Sequence, residues 1–228
     1  MSARASLALV LAACAVPPEP RPAETSAAPV EPVGAGPVVD IAAMARIPAG
    51  TFAMGHADEP FAPYGSEWKE NELPQHGVTL REYYIDRDEV TVADYAAFLG
   101  AGGAPLHHRR HQAVVKTGDQ YAAAPGRERE PITFVSWADA EAYCAWAGKA
   151  LPTEAEWERA AKGGIDERRF PWGDEAPTCQ RAVLYARVDC EPGVAPVGSR
   201  SPEGDSPDGC RDMAGNVAEW TADWYGPY

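Results

Sequence analysis

The chain has 228 residues, a formal net charge of −14 at pH 7 and a pI of about 4.7. Such an acidic protein repels a phosphate backbone, so we expect no nucleic-acid partner. Hydrophobic residues make up 45% of the chain, which suffices for a packed core, while 21 glycines and 22 prolines indicate a loop-rich fold rather than a helical bundle.

The first 14 residues have the features of an export signal. Arg4 supplies a positive charge, residues 5–13 are almost entirely apolar, and Leu11-Ala12-Ala13-Cys14 resembles a bacterial lipobox. The apolar run is too short to span a bilayer, but it has the length of a signal peptide's apolar region. We therefore predict a signal peptide over residues 1–14 and lipid attachment at Cys14. The alternatives are an ordinary signal peptide or a misplaced start codon.

Residues 15–43 form a low-complexity segment rich in Pro, Ala, Glu and Val. Because this segment has almost no large apolar side chains, it is expected to be a disordered, flexible linker. It would tether a globular domain, residues 44–228, to a membrane through the lipid anchor. The predicted location is the bacterial cell envelope, on the periplasmic side or at the cell surface.

Two strands and three helices are predicted in the body of the chain. The strands are expected at residues 47–55 and 78–86. Each helix is predicted from a hydroxyl at the N-cap and a carboxylate three residues later, and these pairs are Thr91 and Asp94, Ser136 and Asp139, and Thr153 and Glu156. Gly100, Gly148 and Gly163 are expected to end the helices. Beyond Gly164 the sequence is typical of turns and loops, so the predicted class is α+β.

Four cysteines remain once Cys14 is set aside, and an even number outside the cytosol favours disulfides. Cys179 and Cys190 flank a short segment and form the natural local pair. Cys144 would then pair with Cys210, or it could equally be a buried thiol. No Cys-x-x-Cys motif supports a zinc ribbon or thioredoxin-like chemistry.

Three histidines lie close together in one segment, at His107, His108 and His111. The first and last would share a face of a helix, which is the usual spacing for two metal-binding histidines. Glycine and proline precede them, however, and Arg109 and Arg110 between them would repel a cation. We therefore predict a solvated loop.

Six segments match, in the correct order, the motifs of one enzyme family. They are Pro48–Gly55, Asp88–Thr91 with Tyr95 and Phe98, Pro131–Ile132 with Val135–Ala140, Leu151–Glu158, Phe170–Gly173 and Asp212–Trp220. Six matches in order over roughly residues 47–224 leave little room for coincidence. The chain therefore resembles the formylglycine-generating enzyme, or sulfatase-modifying factor, family.

This resemblance implies the loop-rich, α+β, C-type-lectin-like fold of that family, incomplete at the C-terminus. In the family's enzymes, copper bound by two cysteines helps oxygen convert a cysteine of an exported sulfatase into formylglycine. That pair follows the segment matching Gly215–Trp220, and this sequence has no cysteine after Cys210. No catalytic residue is carried over, and copper is expected only if a further C-terminal segment exists. The family's final segment adds strands to the core, so ending at Tyr228 is expected to leave strand edges uncovered.

The resemblance also implies a structural calcium site at Asp212, Gly215, Val217 and Glu219. Calcium prefers several hard oxygen ligands, here two carboxylates and the carbonyls of Gly215 and Val217. The alternative is that both carboxylates only solvate a loop or cap a turn. A second family calcium site is expected to be lost or altered, because Val183 has no side-chain oxygen where the family has asparagine.

Three functions remain open after these observations. The first is the formylglycine-generating reaction on an exported sulfatase, with this chain as the N-terminal part of the enzyme. The second is a non-catalytic binding or scaffold module anchored to the envelope. The third is a gene fragment without a function of its own.

Overall fold

Among the residues that the structure describes, the regular structure is mainly short strands and three α-helices, with a π-helical turn at Leu99–Gly103 that continues the first helix past Gly100. The computed structural model describes residues 9–10, 14–16, 34–56, 72–103, 107–164, 168–184, 190 and 193–226. In this part of the chain the helices are α1 Val92–Phe98, α2 Trp137–Trp146 and α3 Glu154–Lys162. The strands are β1 Leu9–Val10, β2 Ala15–Val16, β3 Ala45–Ile47, β4 Gly50–Met54, β5 His76–Leu80, β6 Tyr83–Ile85, β7 Val114–Thr117, β8 Gln120–Ala123 and β9 Ala218–Glu219.

The strands form four small sheets. Strand β6 lies between β2 and β3 in an antiparallel sheet, β4 pairs with β5, and β7 pairs with β8. Strand β1 pairs in parallel with β9. The two strands predicted from the sequence are each divided by a turn, the first into β3 and β4 and the second into β5 and β6.

Each helix begins with the capping arrangement that the sequence predicts. The hydroxyls of Thr91, Ser136 and Thr153 accept a backbone N–H from the third helical residue. In all three helices that residue's carboxylate accepts the N-cap N–H in return, so aspartate completes the box as well as glutamate does. Helix α3 ends at Gly163, which has a left-handed φ of 72°.

Two clusters of buried side chains form the core. One packs α1 against α2 through aromatic rings, including Tyr95, Phe98 and Tyr143. The other packs β3 and β6 against α3 and includes Ile47 and Tyr83. The Tyr83 hydroxyl donates a hydrogen bond to the Glu156 carbonyl at the start of α3, so the sheet and the helix are joined by a polar contact as well.

The predicted disordered linker does not extend over all of residues 15–43. Ala15 and Val16 belong to a sheet, and residues 34–43 have defined positions that include a 3₁₀ turn at Ile41–Ala43. Gly34 donates its N–H to the Ala101 carbonyl at 2.7 Å, which fixes the chain against the body. The described residues at both ends of the predicted linker therefore contact the body of the chain. Residues 17–33 lie outside the described ranges.

Most of the predicted signal peptide, residues 1–8 and 11–13, also lies outside the described ranges. Among the residues that the structure describes, no helix has the length and apolar character needed to cross a bilayer.

The stability of the region where β4 and β5 meet is expected to depend on pH. The His56 Nε2 lies 2.7 Å from the Glu72 Oε2. This hydrogen bond raises the pKa of His56 above 6.5 and lowers the pKa of Glu72 below 4.5. The histidine contribution is complete below pH 6.5 and is lost as the pH rises through its folded pKa. The glutamate contribution is present above pH 4.5 and is lost as the pH falls through its folded pKa.

The pair therefore stabilises the protein most between these two values. Both side chains are substantially exposed, so we expect an effect of about 0.2–1 kcal/mol. The free energy of unfolding by urea, measured from pH 3 to 9 for the native protein and His56→Gln, checks this. The difference between the two proteins should be largest near pH 5.5, and a difference that does not change with pH would contradict the assignment.

Candidate cation site

The segment Asp212–Trp220 holds the four residues for which a calcium site is expected, and its backbone is unusual. Asp212 has a φ of 53°, Gly215 a φ of 105° and Asn216 a φ of 54°, so three of its residues lie in the region that favours glycine. A Cβ atom on Gly215 would lie 2.6 Å from the carbonyl oxygen of Val183. Glycine is therefore required here both for its φ and for the close approach of a second backbone.

Asn216 joins this segment by hydrogen bonds to three other residues, Val183, Ala195 and Glu89. Its N–H donates to the Val183 carbonyl at 3.0 Å, and its side-chain Oδ1 accepts the Ala195 N–H at 2.9 Å. Its Nδ2 donates to the Glu89 Oε1 at 3.0 Å. Val183, at the position where the resemblance implies the asparagine of a second calcium site, is buried and contributes its backbone carbonyl to this contact. Its role in the structure is to hold the Asp212–Trp220 segment.

Glu89 contacts the segment in which calcium is expected, and the sequence reasoning did not single it out. It precedes α1 and its side chain is only 3% exposed. Its Oε1 accepts the Asn216 amide, but no donor within the described residues reaches its Oε2. Burial raises the pKa of Glu89 well above 4.5, and the charges of Asp212 and Glu219 raise it further. Three carboxylates therefore lie close enough to repel one another in a buried region.

Asp212 and Glu219 lie at the two ends of the segment. The Asp212 Oδ2 accepts the Gly198 N–H at 2.6 Å, and burial raises the pKa of Asp212 above 3.8. The Glu219 Oε2 accepts the Trp157 Nε1–H from α3 at 2.8 Å. One oxygen of each carboxylate thus has a protein donor, which orients both groups.

The two carbonyl groups that are expected to bind calcium, those of Gly215 and Val217, lie in the same tight turn. The Gly215 carbonyl accepts the Val217 N–H at 2.6 Å, so these two residues are closely linked. By side chains alone, no three His, Cys, Asp or Glu residues in the described ranges are grouped closely enough to hold a metal ion. A set that mixes carboxylates with backbone carbonyls is the kind that calcium accepts. The Glu89 Oε2, which is buried and has no hydrogen-bond partner among the described residues, adds a further carboxylate oxygen to this region.

The sequence predicted a solvated loop for the histidine segment, and the structure differs from this for part of the segment. His107 is largely buried, and its Nδ1 lies 2.8 Å from the Asp139 Oδ1. Arg109 donates to both oxygens of the same carboxylate, at 2.6 and 3.0 Å. His111 and Arg110 are exposed. The prediction fails for His107, which is held in a largely buried position by Asp139 on α2. Arg109 is exposed, as predicted, but it is paired with the same carboxylate.

The five cysteines have fixed states in the structure. The predicted pair Cys179–Cys190 is confirmed as a disulfide. Cys144 pairs with Cys14 rather than with Cys210, so both alternatives given for Cys144 are wrong. Cys210 is a buried free thiol, and burial raises its pKa to about 12. A thiol with this pKa is protonated at neutral pH, and thiolate is the form that binds copper. The cysteines present therefore do not fit a copper site.

The position of Cys14 in the structure also differs from the one that the lipobox predicts. Its sulfur is bonded to Cys144 and its side chain is fully buried. A sulfur in a disulfide has no free valence for a lipid. In the state that the structure describes, Cys14 is therefore a core residue and not a lipid-carrying one.

Comparisons with known proteins agree with the motifs. Residues 31–228 match the family described as Sulfatase-modifying factor enzyme 1-like domain. The chain is 36% identical to a formylglycine-generating enzyme of Thermomonospora curvata over 224 residues, which cover 80% of this chain and 71% of that protein. It is 32% identical to the inactive C-alpha-formylglycine-generating enzyme 2 of Bos taurus, with 80% and 71% covered.

A solved structure, that of PvdO from Pseudomonas aeruginosa, superposes with a TM-score of 0.59 at 30% identity. The superposition covers 80% of this chain and 71% of PvdO. The loop-rich α+β fold expected from the motifs is thereby confirmed. From the family match and these relatives, the chain belongs to the formylglycine-generating enzyme, or sulfatase-modifying factor, family.

Proposed function

We propose that this protein binds a cysteine-bearing segment of an exported protein such as a sulfatase, and that the residues present form the binding scaffold and not an oxidation centre. The state of the five cysteines carries this proposal. Four are in disulfides, and the fifth is a buried thiol with a raised pKa. Copper-assisted oxidation of a thiol needs two thiolates that can approach one metal ion, and these residues supply none. Even with a lipid on Cys14 and Cys144 free, the thiols of Cys144 and Cys210 lie in different core clusters.

The binding test uses a fluorescent peptide that carries the modified cysteine of a sulfatase. We expect saturable binding by fluorescence anisotropy, and weaker binding of the same peptide with serine in place of cysteine. An unrelated peptide of equal length and charge is the control. Equal affinity for all three peptides would contradict the proposal, because it would show no recognition of the cysteine-bearing segment.

The second candidate function is the formylglycine-generating reaction itself. The 36% identity to an enzyme of that name favours it. The two candidates are distinguished by what happens to the bound cysteine. The formylglycine-generating reaction replaces its thiol by an aldehyde, whereas binding alone leaves the thiol unchanged.

Calcium at Asp212, Gly215, Val217 and Glu219 is part of the proposal, and Glu89 is added to the set. Three carboxylates in a buried region repel one another, and a divalent cation would offset that repulsion. The bound ion would hold the Asp212–Trp220 segment against α1 and α3. We also propose that the protein is exported and anchored to the envelope by a lipid at Cys14.

Calcium is expected to raise the thermal midpoint of the protein, because an ion that binds only the folded state stabilises it by mass action. At a calcium concentration about 100 times the Kd, the gain is about 2.7 kcal/mol. Calorimetry with calcium and with a chelator measures it. Equal midpoints would show that the site does not stabilise the fold.

The variant Glu89→Gln separates a cation ligand from a packing residue. It keeps an oxygen for the Asn216 amide but removes a buried charge, so the calcium-free protein should be at least as stable as the native one. Its response to calcium should be largely lost. Glu203→Gln, at an exposed position, is the matched control and should respond like the native protein. If Glu89→Gln responds fully, Glu89 is not part of the site.

A further inference from the structure

Residues Cys14–Val16 lie at the edge of the three-stranded sheet formed by β2, β6 and β3. On one side, Ala15 pairs with Ile85 and Val16 with Tyr84 of β6. On the other side, the Ala15 N–H donates to the Ala150 carbonyl at 2.7 Å, and the Ala150 N–H donates to the Ala15 carbonyl at 2.8 Å. We call the space between β6 and Ala150 the edge slot. A strand held on both sides in this way completes a sheet rather than resting on its surface.

Polar contacts fix Cys14, the residue that precedes β2. The Cys14 N–H donates to the Asp86 Oδ2 at 3.1 Å, and the Asp86 N–H donates to the Cys14 carbonyl at 2.9 Å. Lys149 Nζ lies 2.6 Å from the other Asp86 oxygen and offsets its charge. Cys14 and Ala15 are both fully buried. The register of the strand is therefore set by an ion pair and by backbone hydrogen bonds.

The disulfide to Cys144 joins this strand to α2. The two cysteines are 130 residues apart in the sequence, so the bond closes a long loop. The lipobox assigns the same Cys14 sulfur to a thioether with a lipid. One sulfur atom cannot form both bonds, and a lipid on a fully buried residue could not reach a membrane.

From this conflict we propose that Cys14–Val16 is a removable plug, seated in the edge slot when Cys14 is bonded to Cys144 and withdrawn when Cys14 carries a lipid. Closing the plug joins two thiols and releases two electrons and two protons, which a disulfide such as oxidised glutathione takes up as it leaves as two thiols. Withdrawal of a closed plug first needs reduction of the disulfide by two thiols, such as two molecules of reduced glutathione, which leave as one disulfide. The free Cys14 thiol then loses its proton and takes the lipid group of a phospholipid donor, whose phosphate headgroup leaves. The β6 edge is then open and Cys144 is a free thiol. This inference rests on the lipid attachment proposed above and is independent of peptide binding.

Labelling of Cys144 in two forms of the full chain tests the plug. One form is made without export and oxidised with glutathione, and the other is extracted from bacterial membranes. In the first, digestion without reductant should yield a linked peptide containing Cys14 and Cys144, and a maleimide should label neither. In the second, the linked peptide should be lost, Cys14 should carry the lipid, and Cys144 should be labelled.

Two results would overturn the proposal. The first is a Cys144 that pairs with Cys210, or stays free, in the oxidised form. The second is a membrane form in which Cys14 carries no lipid or Cys144 remains unlabelled. Because lipid attachment is measured directly by mass, its absence is distinguished from a failure of peptide binding.

The variant Ala15→Pro tests the strand without changing a sulfur. Proline removes the N–H that reaches Ala150, and its ring does not fit a fully buried position. The yield of the Cys14–Cys144 peptide should fall severalfold. Val38→Pro, at a 95% exposed position, is the control and should give the native yield. An unchanged yield for Ala15→Pro would show that strand pairing does not seat the plug.

Discussion

Replacing Asp139 by alanine is expected to lower the free energy of unfolding by about 2–3 kcal/mol, because a helix cap and charge-assisted hydrogen bonds are lost. The Asp139 side chain is fully buried at the start of α2. Its carboxylate accepts hydrogen bonds from Arg109 at 2.6 and 3.0 Å and from the Ser136 N–H at 2.8 Å, and it contacts His107. Alanine would remove the helix cap and leave Arg109 and His107 without their partner.

The pKa of Asp139 also indicates that these contacts stabilise its charged form. Burial by itself would raise it, but the hydrogen bonds from Arg109, Ser136 and His107 outweigh burial and hold the pKa below 3.8. Because the folded pKa is lowered, this contribution is present above pH 3.8 and is lost as the pH falls through the folded value. The advantage of the native protein over Asp139→Ala should therefore shrink in acid.

Asp94→Ala is the matched control for this prediction. Asp94 is also the third residue of a capped helix, with Thr91 as its N-cap, but it is exposed. Losing a cap of this kind costs about 1 kcal/mol. Urea unfolding at pH 7 compares the two variants. Equal losses would show that Asp139 acts only as a cap and that its contacts with His107 and Arg109 add nothing.

Gly215→Ala is the second large effect that we expect, a loss of about 3–5 kcal/mol. At a φ of 105°, any side chain strains the backbone, and here the added methyl would also lie 2.6 Å from the Val183 carbonyl oxygen. Relief of that contact would move Val183 and weaken its hydrogen bond with Asn216. The contact of Asn216 with Glu89 would be disturbed in turn, so the response to calcium should fall as well.

The variant Gly193→Ala separates the cost of backbone strain from the cost of the contact between Gly215→Ala and Val183. Gly193 has a similar φ of 97°, but a Cβ atom there would have no neighbour within 4 Å. It should lose only the backbone term, about 1–2 kcal/mol. Chemical denaturation gives both values. If Gly193→Ala loses as much as Gly215→Ala, the contact with Val183 is unimportant.

The local features of the fold could be predicted from the sequence. Helix starts depend on residues three apart, so Thr91, Ser136 and Thr153 were sufficient to place α1, α2 and α3. The local disulfide Cys179–Cys190 depends on a separation of only 11 residues. The strands β3 to β6 could be located but not divided correctly, because the turns within them are set by pairing with distant segments. The sequence did not predict β1, β2, β7, β8 and β9.

The contacts that could not be predicted join residues far apart in the chain. Glu89 and Asn216 are 127 residues apart, and only folding shows that the glutamate faces the predicted calcium segment. His107 lies in a polar segment that is typical of a solvated loop, and its partner Asp139 is 32 residues away. Cys14 was set aside because its local motif indicates lipid attachment, and no local pattern reveals Cys144 as its partner.

The most direct test of the proposed function is the mass of a sulfatase-derived cysteine peptide after incubation with the protein, copper(I), oxygen and a reductant. If the residues present form a binding scaffold without an oxidation centre, the recovered peptide keeps its thiol and its mass does not change. Replacement of the thiol by an aldehyde, in protein that retains both disulfides and the buried Cys210, would contradict the proposal and establish the formylglycine-generating reaction for this chain.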